Sequence, residues 1–234
     1  MTDGEHATSV PGVVLWRRTF GSTPERARIL PDGCLDLLWD GRRLFVAGPD
    51  TAARWHQARP GVSYVGLRCS GGIGPVLLGV PADELRDRTP DLDELWPSDQ
   101  ARRLAERVAA DPTGGLKRWA VERAAIREVD PLGPRVLQMA SAAAPVAVMA
   151  DRLGLSARHL HRRCLPIFGY GPQRLARILR LSRALDEARA GVPLAQVAAG
   201  CGYADQAHLS REVRALAGTT PRELLGELAP RSSP

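Results

Sequence analysis

Lysine is nearly missing from this 234-residue chain: Lys117 stands alone beside 31 arginines. With 19 prolines, 23 glycines and many alanines, that bias reads first as the mark of a G+C-rich genome. Aromatic residues make up only 5%. Apolar runs stay far below the roughly 18 residues of a membrane span, so no membrane partner is expected. The N-terminus (Met-Thr-Asp-Gly-Glu-His) lacks a basic start followed by an apolar core, so a cytoplasmic location is expected. Cys34, Cys69, Cys164 and Cys201 are widely scattered, without zinc-ligand spacing, and read as reduced thiols. A Gly-rich phosphate loop, an H-E-x-x-H and a G-x-S-x-G are all lacking. No cofactor, metal or catalytic residue is therefore expected.

What is present is unevenly spread. Residues 1–133 carry 18 basic and 19 acidic side chains, whereas residues 134–234 carry 14 and 7. The net +6 is thus a −1 part followed by a +7 part, and nucleic acid is the usual partner of such a basic module.

The front part alternates short apolar stretches with Gly/Pro turns. Val13–Trp16, Cys34–Trp39, Leu44–Val46 and Val62–Cys69 read as strands, with Val65, Leu67 and Cys69 on one face. Gly71–Pro75 reads as a connector to a short helix near Ala82–Arg86. Ala101, Leu104, Ala105 and Val108 then switch to helical period behind Ser98 as N-cap. A second helical stretch covers Leu116–Val129, and Pro131 with Pro134 marks a joint. The predicted organisation is α+β: a mainly-β sensor-like domain (1–97), a helical connector (98–133) and an all-α domain (134–234).

The last hundred residues contain a degenerate repeat. Pro145-Val-Ala-Val-Met-Ala150-Asp-Arg-Leu-Gly154 overlays Pro193-Leu-Ala-Gln-Val-Ala198-Ala-Gly-Cys-Gly202 at an offset of 48. Beyond the glycine the offset is 49, matching His159-Leu160-x-Arg162 to His208-Leu209-x-Arg211, Gly169 to Gly218 and Pro172 to Pro221. Each copy has helix-turn-helix logic. Ala150 and Ala198 allow close helix approach, Gly154 and Gly202 turn the chain, and Ser156 and Asp205 cap the following helix. The units span 145–165 and 193–217.

Helical geometry of about 100° per residue sorts the faces. Leu160 and Cys164 face the core, which turns Arg158 and Arg162 outward with Ala157 and His161 beside them. Leu209 and Val213 do the same for Ala207 and Arg211, with Gln206, His208, Ser210 and Arg214 nearby. Arginine pairs bidentately with guanine and glutamine with adenine. Between the units, Pro172–Arg189 reads as one helix about 27 Å long, close to the recurrence of major grooves at about 34 Å. Its Arg174, Arg177, Arg180 and Arg183 form a stripe that faces either phosphates or solvent.

These residues resemble the AraC/XylS family of bacterial transcription regulators. Ala150-x-x-x-Gly154-Leu-Ser-x-Arg-x-Leu-x-Arg162 is similar to the family's first helix-turn-helix. Gly202-Tyr-Ala-Asp-Gln-Ala-His-Leu-Ser-Arg211, followed by Ala217-Gly-Thr-Thr-Pro221, is similar to its second. The resemblance covers about Val136 to Leu228 and departs from the family pattern at Cys164, Val213 and Pro166, which is expected to interrupt the first recognition helix. It implies sequence-specific binding to double-stranded promoter DNA, activation through RNA polymerase, and contact by Arg158, His161 and Arg162 in one groove and Gln206, Ala207, Ser210 and Arg211 in the next. Ile29-Leu-Pro-Asp-Gly-Cys-Leu-Asp-Leu-Leu-Trp39, Gly66-Leu-Arg and Gly79-Val-Pro-Ala-Asp-Glu-Leu resemble an uncharacterised domain found ahead of this module in actinobacterial regulators. Such domains sense small molecules or dimerise, so a small-molecule effector and a homodimer are both open.

Two other readings stand beside this one. A DNA-directed enzyme of the alkyl-transfer repair type would use Cys34 or Cys69. A front domain devoted to protein interaction or autoinhibition is the other, with 98–129 suited equally to a helical dimer interface and to packing onto the first domain. Asp32, Asp36 and Asp40, at four-residue steps, suit turns and strand edges better than a polar pocket.

Overall fold

The computed structural model describes residues 4–22 and 25–228. Strands β1 (Gly4–Ala7), β2 (Val13–Thr19), β3 (Glu25–Ile29), β4 (Leu35–Trp39), β5 (Leu44–Ala47), β6 (Arg54–Ala58) and β7 (Ser63–Cys69) come first. Five of them form an antiparallel sheet in the order β1-β2-β7-β4-β5, and β3 with β6 forms a separate two-stranded ribbon. All four strands read from the sequence are present.

Period-two alternation gives the large sheet two different faces. Val13 and Leu15, Leu35, Leu37 and Trp39, and Val65, Leu67 and Cys69 point one way into a shared core. That core is closed by α1 (Ile73–Leu78), α2 (Ala82–Leu85), α3 (Leu92–Leu95), α4 (Ser98–Ala110) and α5 (Pro112–Ala125), through Leu77, Leu85, Leu92, Leu104, Val108, Leu116 and Trp119. The opposite face carries Trp16, Leu38, Phe45 and Tyr64 and looks toward the ribbon, which adds Ala58.

Several helix expectations need correction. Ser98 is the first residue of α4 rather than its cap, and Pro97 holds the cap position without a side-chain bond. The second helix starts earlier than Leu116, because Asp111 caps it by accepting from the Gly114 amide at 2.9 Å. Gly71–Pro75 is not a plain connector, since α1 begins at Ile73. The joint at Pro134 lies inside α6 (Leu132–Ser141), in the first turn, where a proline costs no hydrogen bond.

The rest is helical: α7 (Val146–Arg152), α8 (Ala157–Phe168), α9 (Pro172–Arg189), α10 (Leu194–Gly200), α11 (Gln206–Ala217) and α12 (Pro221–Leu228). They share a second core running from Leu132 to Leu224, with α9 supplying Leu175, Ile178, Leu181 and Leu185 as its spine. The fold is α+β, a mainly-β region followed by helices that end in two helix-turn-helix units.

Candidate nucleic-acid interface and ligand cavity

Both helix pairs are built the same way. The Ala150 carbonyl accepts from the Leu155 amide at 2.9 Å, and the Ala198 carbonyl accepts from Tyr203 at 2.9 Å. Gly154 and Gly202 turn the chain at φ +65° and +74°, a conformation that costs glycine little. Ser156 accepts from the His159 amide at 3.2 Å, and Asp205 accepts from His208 at 2.6 Å. Both caps hold as the sequence implied. Pro166 does not interrupt α8, which continues to Phe168; proline only leaves the Arg162 carbonyl without its usual amide.

The inward residues are where the period puts them: Leu160, Cys164, Leu209 and Val213 are buried. Arg158, His161 and Arg162 are exposed on α8, as are Gln206, Ala207 and Arg211 on α11. Among the described residues, Arg158, Arg162 and Arg211 form no ion pair, so their guanidinium groups are uncommitted. Three of the candidates have local roles. The His161 ring lies so close to Gly171 that a β-carbon there would sit 2.2 Å from its Nδ1. Half-buried His208 stands edge-on to Tyr203 at 5.3 Å and accepts from the Ala204 amide. Ser210 donates to the Gln206 carbonyl at 2.9 Å.

The stripe on α9 is neither free for phosphates nor merely solvated. Arg177 pairs with buried Glu212 of α11 at 2.7 Å. Arg180 lies 4.3 Å over the Tyr203 ring and donates to the Gly202 carbonyl. Arg183 donates to the Ser141 and Cys201 carbonyls, and Arg174 reaches Thr51. Arg177, Arg180 and Arg183 fasten the second helix-turn-helix to the central helix, whereas Arg174 ties that helix to the front part of the chain. Arginines at three-residue spacing look alike in sequence whichever partner they serve.

The front domain holds a second site that sequence reasoning missed. Between the large sheet and the β3–β6 ribbon lies a cavity of about 1050 Å³. Trp16, Phe20, Phe45 and Tyr64 supply aromatic walls, with Phe20, His56 and Tyr64 in mutual ring contact at 5.4 to 6.4 Å. Asp36 lies in it and accepts from Trp16 Nε1 at 2.7 Å. Burial pushes this carboxyl up to about 6, against the opposing pull of Arg68 and the Trp16 bond. Asp40 also lines the cavity but bonds the Arg42 and Arg43 amides and pairs with Arg59. Asp32 serves its turn, accepting from the Cys34 amide at 2.9 Å. Turn duty thus holds for two of the three, and Asp36 is the exception.

Cys34 is half-buried and the other three cysteines are buried. Burial raises the thiols of Cys34 and Cys69, the reverse of the thiolate that alkyl transfer requires. Among the described residues, no group of three or more His, Cys, Asp or Glu could hold a metal ion. None of the described helices is long and apolar enough to cross a membrane.

The two parts are tied together. Arg28 of β3 binds Glu227 of α12 at 2.8 Å and the Ala217 carbonyl at 2.6 Å. The Ala53 amide donates to the Leu216 carbonyl at the end of α11 at 2.6 Å. Arg86 donates to the Gly169 carbonyl at 3.1 Å, beside the end of α8.

No curated protein matches the chain. Among solved structures, the crystal structure of ToxT from Vibrio cholerae O395 aligns with a TM-score of 0.46 and 11% identity, covering 93% of this chain and 98% of that one. An unsaturated fatty acid bound wild-type ToxT from Vibrio cholerae aligns at 0.47 and 12%, covering 95% and 97%. Residues 13–91 match a domain of unknown function. Residues 149–227, which take in most of the first helix pair and all of the second, match a helix-turn-helix domain.

Proposed function

We propose that the protein is a sequence-specific DNA-binding transcription regulator of the AraC/XylS kind, modulated through its N-terminal domain. One observation carries the reading: two equivalently built helix-turn-helix units, on one central helix, each present an exposed α8 or α11 face with uncommitted arginines. In this reading α8 and α11 enter successive major grooves. Arg158, His161 and Arg162 read one, and Gln206, Ala207, His208, Ser210 and Arg211 the other. The 18 residues of α9 set the separation. Promoter DNA is the partner, with RNA polymerase and a second copy of the chain as further partners.

Modulation is supported by the ribbon. Its inner face closes the cavity, while Arg28 on its outer face and Ala53 beside it hold the end of α11. A ligand that shifts β3 and β6 therefore acts on the second reading helix. The test is selection of bound sequences from random DNA by the full chain. A two-part site with contact regions about one helical turn apart is the expected result. Recovery of no enriched sequence would overturn the proposal.

A further inference from the structure

The front cavity is large enough for a small-molecule ligand, at the upper end of the usual range of about 300–1,000 Å³. Its walls say what shape fits. Trp16, Phe45 and Tyr64 on the large sheet, Phe20 beside it and the His56 ring on the ribbon favour a flat ring system stacked or held edge-on among them. Tyr64, Gly66 and Arg68 share one face of β7, and four residues of strand span about 13 Å. The aromatic cluster stands at the Tyr64 end, and the polar groups stand at the Arg68 end.

Charge narrows the chemistry. Seven arginines line the cavity, which at first suggests an anion. Yet Arg43 is paired with Asp91, Arg54 with Asp50, Arg59 with Asp40 and Arg68 with Glu5. Around Arg68 the balance is even reversed, since Glu5, Asp32 and Asp36 all lie within 3.7 Å of its guanidinium. A carboxylate or phosphate entering there would face three carboxylates. A cation would face the arginines of the far end. The polar end offers instead one hydrogen-bond donor and one acceptor side by side. Arg68 Nε is buried with no hydrogen-bond partner, and it lies 3.7 Å from the Asp36 carboxyl. A buried unmet donor is costly and asks for an acceptor.

We infer that this cavity binds an uncharged planar heteroaromatic compound with a lactam-type edge, its N–H donating to Asp36, its carbonyl accepting from Arg68 Nε, and its ring among Trp16, Phe20 and Tyr64. The raised carboxyl of Asp36 accommodates this, because an uncharged partner does not require it to be fully ionised beforehand. That such a ligand acts as the effector rests on the regulator reading above. The binding itself does not.

Isothermal titration of the full chain with lumichrome, a tricyclic lactam, tests the site directly and needs no DNA. One-to-one binding is expected. The analogue methylated on both of its ring N–H nitrogens should bind about tenfold more weakly or worse, having no N–H left to donate to Asp36. Asp36→Asn should weaken lumichrome similarly, and the methylated analogue controls for any folding defect in that variant. Equal binding of lumichrome and its methylated analogue would overturn the edge recognition. Tighter binding of 2-naphthoate would overturn the uncharged class in favour of an aromatic anion. Heat from none of the compounds would overturn the site. Loss of DNA selection with lumichrome binding intact would remove the regulator reading alone.

Discussion

The indole of Trp16 lies across Gly66 of the neighbouring strand, so closely that a β-carbon at Gly66 would sit 2.5 Å from the ring. The two residues pair directly in the β2–β7 register. Glycine in a strand interior ordinarily weakens it. Here it makes the space that lets the Trp16 ring form the cavity floor and reach Asp36. Gly66→Ala should therefore push the indole off the sheet and break that bond. The expected loss is about 1–3 kcal/mol, as for other overpacking changes, read as a lower urea midpoint with an unchanged slope. An unchanged midpoint would mean that the ring has another place to go.

Arg211→Ala and Arg162→Ala remove exposed, uncommitted side chains, so stability should stay within about 0.5 kcal/mol. Specific DNA binding should weaken by about 1–3 kcal/mol each, with nonspecific binding much less affected. Competition titrations with a selected site and with random DNA separate the two. Equal losses on both would place the side chain on phosphate alone.

Arg177→Ala should behave in the opposite way. Glu212 is 8% exposed and would be left without its partner. Because Arg177 is itself partly exposed, the cost should be about 1–3 kcal/mol rather than that of a fully buried pair. The melting temperature should fall, and the salt dependence of DNA binding should keep its slope. A slope reduced by about one, with stability intact, would return this arginine to the phosphate backbone.

This contrast shows where sequence patterns stop. Ala150 and Gly154, the caps Ser156 and Asp205, and the apolar Leu160, Leu209 and Leu175 are local or periodic features, so spacing alone places them. The strands β4 and β7 are legible for the same reason, being apolar on alternate residues. The ribbon was not. Arg-Trp-His-Gln-Ala in β6 and Glu-Arg-Ala-Arg-Ile in β3 carry almost no apolar alternation, because one face lines a cavity rather than a packed core. With the ribbon unseen, the cavity was invisible too, and Asp36 looked like any turn aspartate. The partner of Arg177 lies in α11 and those of Arg180 in the turn between α10 and α11, and only the packing of α9 against the second helix pair identifies them.

Asp36 should also leave a mark on the pH profile. Its carboxyl is raised from 3.8 to about 6 in the folded chain, chiefly by burial. The folded state thus holds the proton more tightly than the unfolded one. Its contribution to stability is present below about pH 4 and is lost as pH rises to about 6. Asp36→Asn, which keeps an acceptor for Trp16, should remove that decline. Subtracting the variant's urea-derived stabilities from those of the parent between pH 4 and 7 isolates this from other carboxylates. Glu223, held down to about 2 chiefly by its hydrogen bonds to Thr219 and Thr220, acts with the opposite sign. A flat difference curve would mean that Asp36 is solvated.

The ribbon's grip on the second helix-turn-helix can be cut at one side chain. Arg28 has 11% of its side chain exposed and joins β3 to both Glu227 and the Ala217 carbonyl. Arg28→Ala strips two charge-assisted hydrogen bonds from α12 and one from the end of α11, each worth about 1.5–3 kcal/mol at the buried limit and less where Glu227 is exposed. Hydrogen exchange should quicken at amides in 216–227 and in the ribbon. It should stay unchanged at the end of α8, where Arg86 holds Gly169 independently. Faster exchange at both ends would mean that the domains separate as a unit. Acceleration confined to the ribbon and α11–α12 identifies Arg28 as the link that couples the cavity wall to the second helix-turn-helix.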